Sequence, residues 1–165
     1  MRLCLLALLD GTAARLPFAY HTDAAGCCDD VEHGEIEAAG EVVNHSGYMV
    51  LTGAIRLNAS ARCARCGETF DLELEFPLEA KLAERLDGAD TDEFILLEDG
   101  CLDLAELVRT QVLLELPTRF LCRPDCMGLC PKCGKNLNTG RCGCPERGTR
   151  VWRRFSIILT NKKYR

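Results

Sequence analysis

Six cysteines fall within the 23 residues from Cys122 to Cys144, in the run CRPDCMGLCPKCGKNLNTGRCGC. Thiols at this density, separated by short spacers and by Gly128, Gly134, Gly140 and Gly143, suit a chain that doubles back around a soft divalent cation. The spacing is C-x3-C-x3-C-x2-C-x8-C-x-C. Earlier in the chain, Cys63-Ala-Arg-Cys66-Gly67 has the same CxxCG form as Cys130-Pro-Lys-Cys133-Gly134. Adding Cys63 and Cys66 to the six makes eight thiols, enough for two tetrahedral four-thiolate Zn2+ sites. The division expected is a sequence-local ribbon of Cys130, Cys133, Cys142 and Cys144, and a long-range clamp joining Cys63 and Cys66 to Cys122 and Cys126. Other partitions of the eight ligands fit the spacing as well. Cys4, Cys27, Cys28 and Cys101, the rest of the 12 cysteines, are expected as free thiols.

Disulfide frameworks belong to oxidising compartments, whereas clustered cysteines in a reducing one more often hold metal. The apolar run Leu3 to Leu9 follows a single Arg2 and soon meets Asp10 and Gly11, so it reads as the beginning of a buried strand rather than as an export signal. No run approaches the roughly 20 apolar residues that a membrane helix needs. The expectation is therefore a cytoplasmic protein with no membrane partner. The formal net charge of −5 conceals an asymmetry: residues 148–165 carry six cations and no acid, leaving −11 on residues 1–147. Such a body does not readily coat a nucleic-acid backbone, so any RNA contact is expected to be local or through another protein.

Residues 1–34 carry little signal, and His21, His33 and His45 lack metal-ligand spacing. From Glu35 to Ser60 a partial period-two alternation around Asn44-His45-Ser46-Gly47 predicts two antiparallel strands. A third strand follows, with Phe70, Leu72, Leu74 and Phe76 on one face and Asp71, Glu73 and Glu75 on the other. Cys63 to Gly67 then lies at a hairpin tip, where two thiolates and nearby amide N–H groups can converge on a metal. A redox dithiol ordinarily opens a helix in a βαβ unit, and strand pattern flanks this one on both sides.

Glu79 to Gly100 reads as an acidic, solvated loop with one short strand, Phe94 to Leu97. Its sharper interpretation is an acidic surface that docks a basic partner such as a ribosomal protein. A helix over 103–116 is well punctuated: Asp103 caps it, Glu106 completes an Asp-x-x-Glu box, and Pro117 follows Leu116. Leu104, Leu107, Val108 and Val112 share one face, which is expected to pack on the sheet. No nucleophile and base stand in any recognisable relation, so neither catalysis nor a small-molecule substrate is expected. The fold class expected is α+β: an antiparallel β-sheet packed by one main helix, with a small C-terminal zinc-ribbon-like lobe. Its parts are an N-terminal segment 1–34, a β-rich domain 35–121, a cysteine-rich zinc lobe 122–147 and a basic tail 148–165.

The combination CARCGETF, LDLAELVRTQVLLELPTRFLC, CRPDCMGLCPKCGKNLN and RCGC resembles the YceD family, the bacterial and plastid large-subunit ribosomal RNA accumulation proteins. The resemblance covers roughly residues 35–144. It implies a non-enzymatic cytoplasmic factor needed for accumulation of large-subunit ribosomal RNA, acting on a ribosomal protein or on precursor RNA. The matching positions are Cys63, Arg65, Cys66, Cys122, Cys126, Cys130, Cys133, Asn136, Leu137, Asn138, Cys142 and Cys144. Arg65, Asn136 and Asn138 are candidates for partner or RNA contact, with turn chemistry the blander role for the two asparagines. The competing interpretation is a thiol-based redox or metal-buffering protein in which Cys63 and Cys66 cycle.

The tail departs from the family pattern of an acidic linker and an Asp-Pro-Arg-Leu-Ala-x-Leu helix. The codons of Thr149-Arg-Val-Trp-Arg-Arg-Phe155, read from their third bases, admit Pro, Arg, Leu, Ala, Ala and Leu. The triplet before them admits Asp. A frameshift from about Gly148 is one explanation of this stretch. An RNA-contacting arm of Arg150, Trp152, Arg153 and Arg154 is the other.

Overall fold

Two 14-residue strands, β3 (Val31–Asn44) and β4 (Met49–Arg62), form the central hairpin, in register from Asn44 opposite Met49 to His33 opposite Ser60, with a shift of register before Val31 opposite Ala61. The computed structural model describes residues 1–25, 27–45, 48–85 and 93–145. The basic tail at 148–165, with Arg150, Trp152, Arg153 and Arg154, lies outside the described residues. Along β4, Met49, Leu51, Ile55 and Leu57 are buried while Thr52, Arg56 and Asn58 are exposed. That is the alternation of a strand with one wet face.

The next strand, β5 (Thr69–Ala83), pairs antiparallel with β4. It outruns the expected boundary, because the loop predicted from Glu79 onward begins inside it. Leu78 and Leu82 are fully buried and continue the alternation, with exposed Glu79 and Lys81 between them. The charges had suggested a loop, but they are the outward positions of a strand. The short β6 (Phe94–Leu96) then pairs with β5 in parallel, so the sheet is mixed rather than purely antiparallel.

The N-terminal residues are more ordered than their composition suggested. β2 (Arg15–Asp23) pairs with β3 and gives a five-stranded sheet in the order β2-β3-β4-β5-β6. The expected strand over Leu3–Leu9 is cut short. β1 (Arg2–Cys4) is followed by one helical turn, α1 (Leu6–Leu9), with Leu5 and Leu8 fully buried. Leucines spaced three apart share a helical face, whereas on a strand Leu5 and Leu8 would point to opposite sides.

β1 pairs with β7 (Cys101–Asp103) in a second, two-stranded sheet that sets Cys4 opposite Cys101. Their sulfurs form a disulfide across 97 positions of sequence, which corrects the expectation that both are free thiols. Cys27 and Cys28 are free. α2 (Leu104–Glu115) starts where β7 ends. Asp103 Oδ1 accepts from the N–H of Ala105 at 3.0 Å and of Glu106 at 3.3 Å. Leu104, Val108 and Val112 join Ile36, Leu51, Ile55, Leu57 and Leu78 in the main core, each contributing about 2 kcal/mol by its burial. Beyond α2, Ala64 N–H donates to Phe120 O at 2.8 Å, returning the chain to the β4–β5 tip.

Candidate metal centre

The β4–β5 hairpin ends in a tight knuckle. Cys63 N–H donates to Glu68 O at 2.9 Å, Gly67 N–H donates to Cys63 O at 2.8 Å, and Gly67 has φ +71°. Cys130 to Lys135 repeats this turn: Cys130 N–H to Lys135 O at 2.8 Å, Gly134 N–H to Cys130 O at 2.9 Å, and Gly134 φ +71°. A positive φ at the fifth position is the conformation that glycine adopts without strain, which is why each motif reads CxxCG. The turn aims both thiols to one side and brings backbone N–H groups against the sulfurs.

The eight thiols gather into two foursomes. Cys63, Cys66, Cys122 and Cys126 have all their sulfurs within 4.8 Å of one another, and so do Cys130, Cys133, Cys142 and Cys144. In the first, Cys63 Sγ lies 3.8 Å from Cys126 Sγ, and Cys66 Sγ lies 3.7 Å from Cys122 Sγ. Four thiolates at ~2.3 Å around a tetrahedral Zn2+ have edges of ~3.8 Å, so this donor set fits the ion. The second is tighter at one edge, with Cys130 and Cys142 at 3.3 Å. Cys63, Cys66 and Cys126 are buried, whereas Cys133 is exposed.

The environments of the thiols differ within each foursome. Burial acts to raise the Cys63 pKa, but the N–H groups of Cys122, Cys66 and Arg65 outweigh it and hold the thiol at about 6. Cys130 is lowered to about 6 by the N–H groups of Lys132 and Cys133. Cys122 is pushed up to about 12, first by burial and then by the neighbouring Cys126, Cys63 and Cys66. Cys144 is pushed up to about 12, first by the Cys133 thiol and then by burial. A dication that takes all four sulfurs as thiolates therefore displaces protons from each foursome.

The other candidate positions tie the foursomes together. Arg65 Nη1 donates to Cys126 O at 2.9 Å, across the knuckle onto the Cys122–Cys126 loop. Asn138 Nδ2 donates to Cys126 Sγ at 3.2 Å, and Asn138 Oδ1 accepts from Met127 N–H at 2.8 Å. Asn136 Oδ1 accepts from Asn138 N–H at 2.9 Å, the turn chemistry anticipated for this pair. Asn136 Nδ2 is buried with no partner among the described residues. Gly128, one of the glycines at which the chain was expected to double back, has φ +72°, and a Cβ there would lie 2.9 Å from Arg65 O. Elsewhere, His21, Glu35 and Glu37 converge on the exposed face of β2 and β3, an arrangement ordinary for ion-paired strands. No helix among the described residues is long and apolar enough to cross a membrane.

A family model described as "Large ribosomal RNA subunit accumulation protein YceD" matches residues 51–158. An uncharacterized protein of Mycobacterium tuberculosis is 33% identical over 93 residues, which cover 54% of this chain and 45% of the relative. A Zea mays protein named large ribosomal RNA subunit accumulation protein YCED homolog 1, chloroplastic, is 30% identical over 139 residues, covering 65% of this chain and 47% of the relative. Its Arabidopsis thaliana counterpart is 27% identical, over 66% of this chain and 43% of its own length. The chain thus spans about half the length of the curated relatives it matches. No solved structure matches it. With its two CxxCG knuckles inside a matched segment of 51–158, the chain belongs to the YceD family.

Proposed function

We propose that this protein is a ribosome-biogenesis factor that promotes accumulation of large-subunit ribosomal RNA. It acts by binding, without catalysis and without a small-molecule substrate, and we place it in the cytoplasm on its eight clustered free thiols, the Cys4–Cys101 disulfide notwithstanding. Family membership carries this reading. Two Zn2+ ions would be held by Cys63, Cys66, Cys122 and Cys126 and by Cys130, Cys133, Cys142 and Cys144, the second as a zinc-ribbon-like lobe at 122–147. Four thiolates close a tetrahedral site and leave no position for water, which suits a structural role. The ions would supply folding free energy and fix the lobe on the β4–β5 hairpin tip.

A ribosomal protein is the partner that the outer sheet face fits. Glu37 stands beside Arg56 and Arg56 beside Glu75, while Glu35 and Glu73 flank Asn58. In the patch around Arg56 the exposed acids Glu35, Glu37, Asp71, Glu73 and Glu75 outnumber the arginine, so this part of the face repels phosphate and attracts cationic protein. Precursor RNA, if it is bound directly, falls to the cysteine lobe with Arg65, Asn136 and Asn138. Against the redox reading, Cys63 Sγ lies 3.8 Å from Cys126 Sγ and Cys66 Sγ lies 3.7 Å from Cys122 Sγ, so both hairpin thiols are shared with a second segment of the chain.

Depleting the protein should lower large-subunit relative to small-subunit ribosomal RNA, and an unchanged ratio overturns the function. Zinc is measured separately on the purified chain. Two ions per chain are expected, and Cys63→Ser with Cys66→Ser should remove one of them. Loss of both or of neither overturns the assignment of ligands.

A further inference from the structure

Asn138 sits between Cys133 and Cys142 in sequence, inside the loop of the second foursome. Its side chain nevertheless serves the first. The Nδ2–H group points at Cys126 Sγ at 3.2 Å, and the same amide accepts the N–H of the next residue, Met127, at 2.8 Å. This placement is braced along the backbone: Leu137 N–H donates to Gly128 O at 2.9 Å, Leu129 N–H to Arg65 O at 3.1 Å and Cys130 N–H to Lys135 O at 2.8 Å. Leu129 and Asn136 form a bridge in the same ribbon. A continuous set of hydrogen bonds therefore runs from the second knuckle, through Asn138, to a sulfur of the first foursome.

We propose that Asn138 is a positioning residue for the clamp site, supplied by the ribbon site, and that through it the two metal sites are coupled. The proposal rests on the reading that both foursomes hold Zn2+. The physical reason is charge. A divalent ion held by four thiolates leaves two negative charges on the sulfurs, and an N–H donor on one of them offsets part of that charge. The sulfur then competes less well for protons and electrophiles and stays on the metal. The contacts of Leu137 with Gly128, of Asn136 with Leu129 and of Asn138 with Met127 hold the amide against Cys126, and all three come from the loop that the ribbon site closes, so wrapping 130–144 fixes the donor in place. Closing the ribbon thus presents the amide, and an open ribbon withdraws it. Outer-shell partners of this kind are worth roughly 10–100-fold in metal affinity.

The test uses the whole zinc-loaded chain. Zinc content is measured first, and two ions per chain establish the reading on which the proposal rests; fewer than two would overturn that reading in a way that no asparagine variant can mimic. Asn138→Asp keeps an oxygen for Met127 N–H and replaces the donor with a negative charge. Asn138→Ala removes both contacts. Zinc transfer to a chromogenic chelator should show a clamp-site phase that is roughly 10–100-fold faster in Asn138→Asp, with the ribbon phase unmoved. Substituting Co2+ gives a second readout, because loss of an N–H donor shifts the sulfur-to-cobalt charge-transfer band of the clamp site alone. Opening the ribbon by Cys142→Ser with Cys144→Ser should speed clamp release similarly, and adding Asn138→Asp should then have no further effect. Additive effects of the two changes overturn the coupling. Wild-type release and an unshifted band in both Asn138 variants overturn the role of the residue. If Asn138→Ala unfolds the lobe, the aspartate variant decides.

Discussion

Replacing Cys4 and Cys101 together by serine isolates what the disulfide between β1 and β7 contributes. The two stand 97 positions apart, so the cross-link encloses the whole five-stranded sheet in one loop of the unfolded chain. For a closed loop of about 100 residues, the loss of chain entropy corresponds to about 4.7 kcal/mol. Little in the folded state offsets this. Cys4 is exposed and Cys101 half-buried, while the β1–β7 pairing and the Met1 amino group at 3.5 Å from Asp103 do not depend on sulfur. Urea titration of the oxidised proteins should show the double variant less stable by about that figure, and heating should show its midpoint lower by roughly 9–19 °C. Reduction of the wild type with a phosphine should bring it down to the variant, which should not itself respond. A phosphine is chosen because dithiols compete for zinc. Agreement of the oxidised wild type and the variant within about 1 kcal/mol would refute the loop-closure reasoning.

Three further outcomes follow from particular contacts. At Gly40, opposite Gly53, an added Cβ would come within 2.6 Å of Gly53 Cα and 2.9 Å of the Phe18 ring, so Gly40→Ala should cost about 1–3 kcal/mol in urea unfolding; a neutral result would mean that the strands separate freely there. Gly128→Ala should cost at least about 1–2 kcal/mol through its positive φ, and should speed zinc release from the clamp because Arg65 O must give way; an unchanged rate would show the contact to be idle. Acid should strip both ions: Cys122 and Cys144 are pushed up to about 12, so near neutrality each site must displace at least one proton, and affinity should rise at least tenfold per pH unit. A pH-independent affinity between pH 6 and pH 8 would contradict four-thiolate ligation.

The parts of the fold that could be read from sequence are those in which one local rule decides. Alternation in β3, β4 and the first half of β5 needs only neighbours, and Asp103 with Glu106 marks the start of α2 within a single turn. β2 was legible in principle, since Leu16, Phe18, Tyr20 and Thr22 alternate with exposed Arg15, Pro17, Ala19 and His21. A proline such as Pro17 interrupts a central strand, but β2 is the edge strand of the sheet, where a missing N–H costs little. The parallel β6 and the Cys4–Cys101 bond depend on pairings between distant segments that no spacing records. The ligand groups were accessible because tetrahedral ions take thiols by fours, whereas Arg65 and Asn138 reach them through contacts set only in three dimensions.

The long-range foursome also imposes a waiting time while the chain is being made. Cys66 and Cys122 are 56 positions apart, so at roughly 5–20 residues per second of synthesis the first two thiols precede their partners by about 3–11 s. Over that interval β3, β4 and most of β5 can pair while the hairpin tip carries an open dithiol, exposed to oxidants and to the wrong metal. Cys126 and Cys144, the last ligands of the two foursomes, are 18 positions apart, a gap of about 1–4 s, so the ribbon completes its ligands within seconds of the clamp. The two sets of ligands thus become complete within seconds of each other. A product stopped before residue 122 would be a sheet with a dithiol at its tip and no means of closing it.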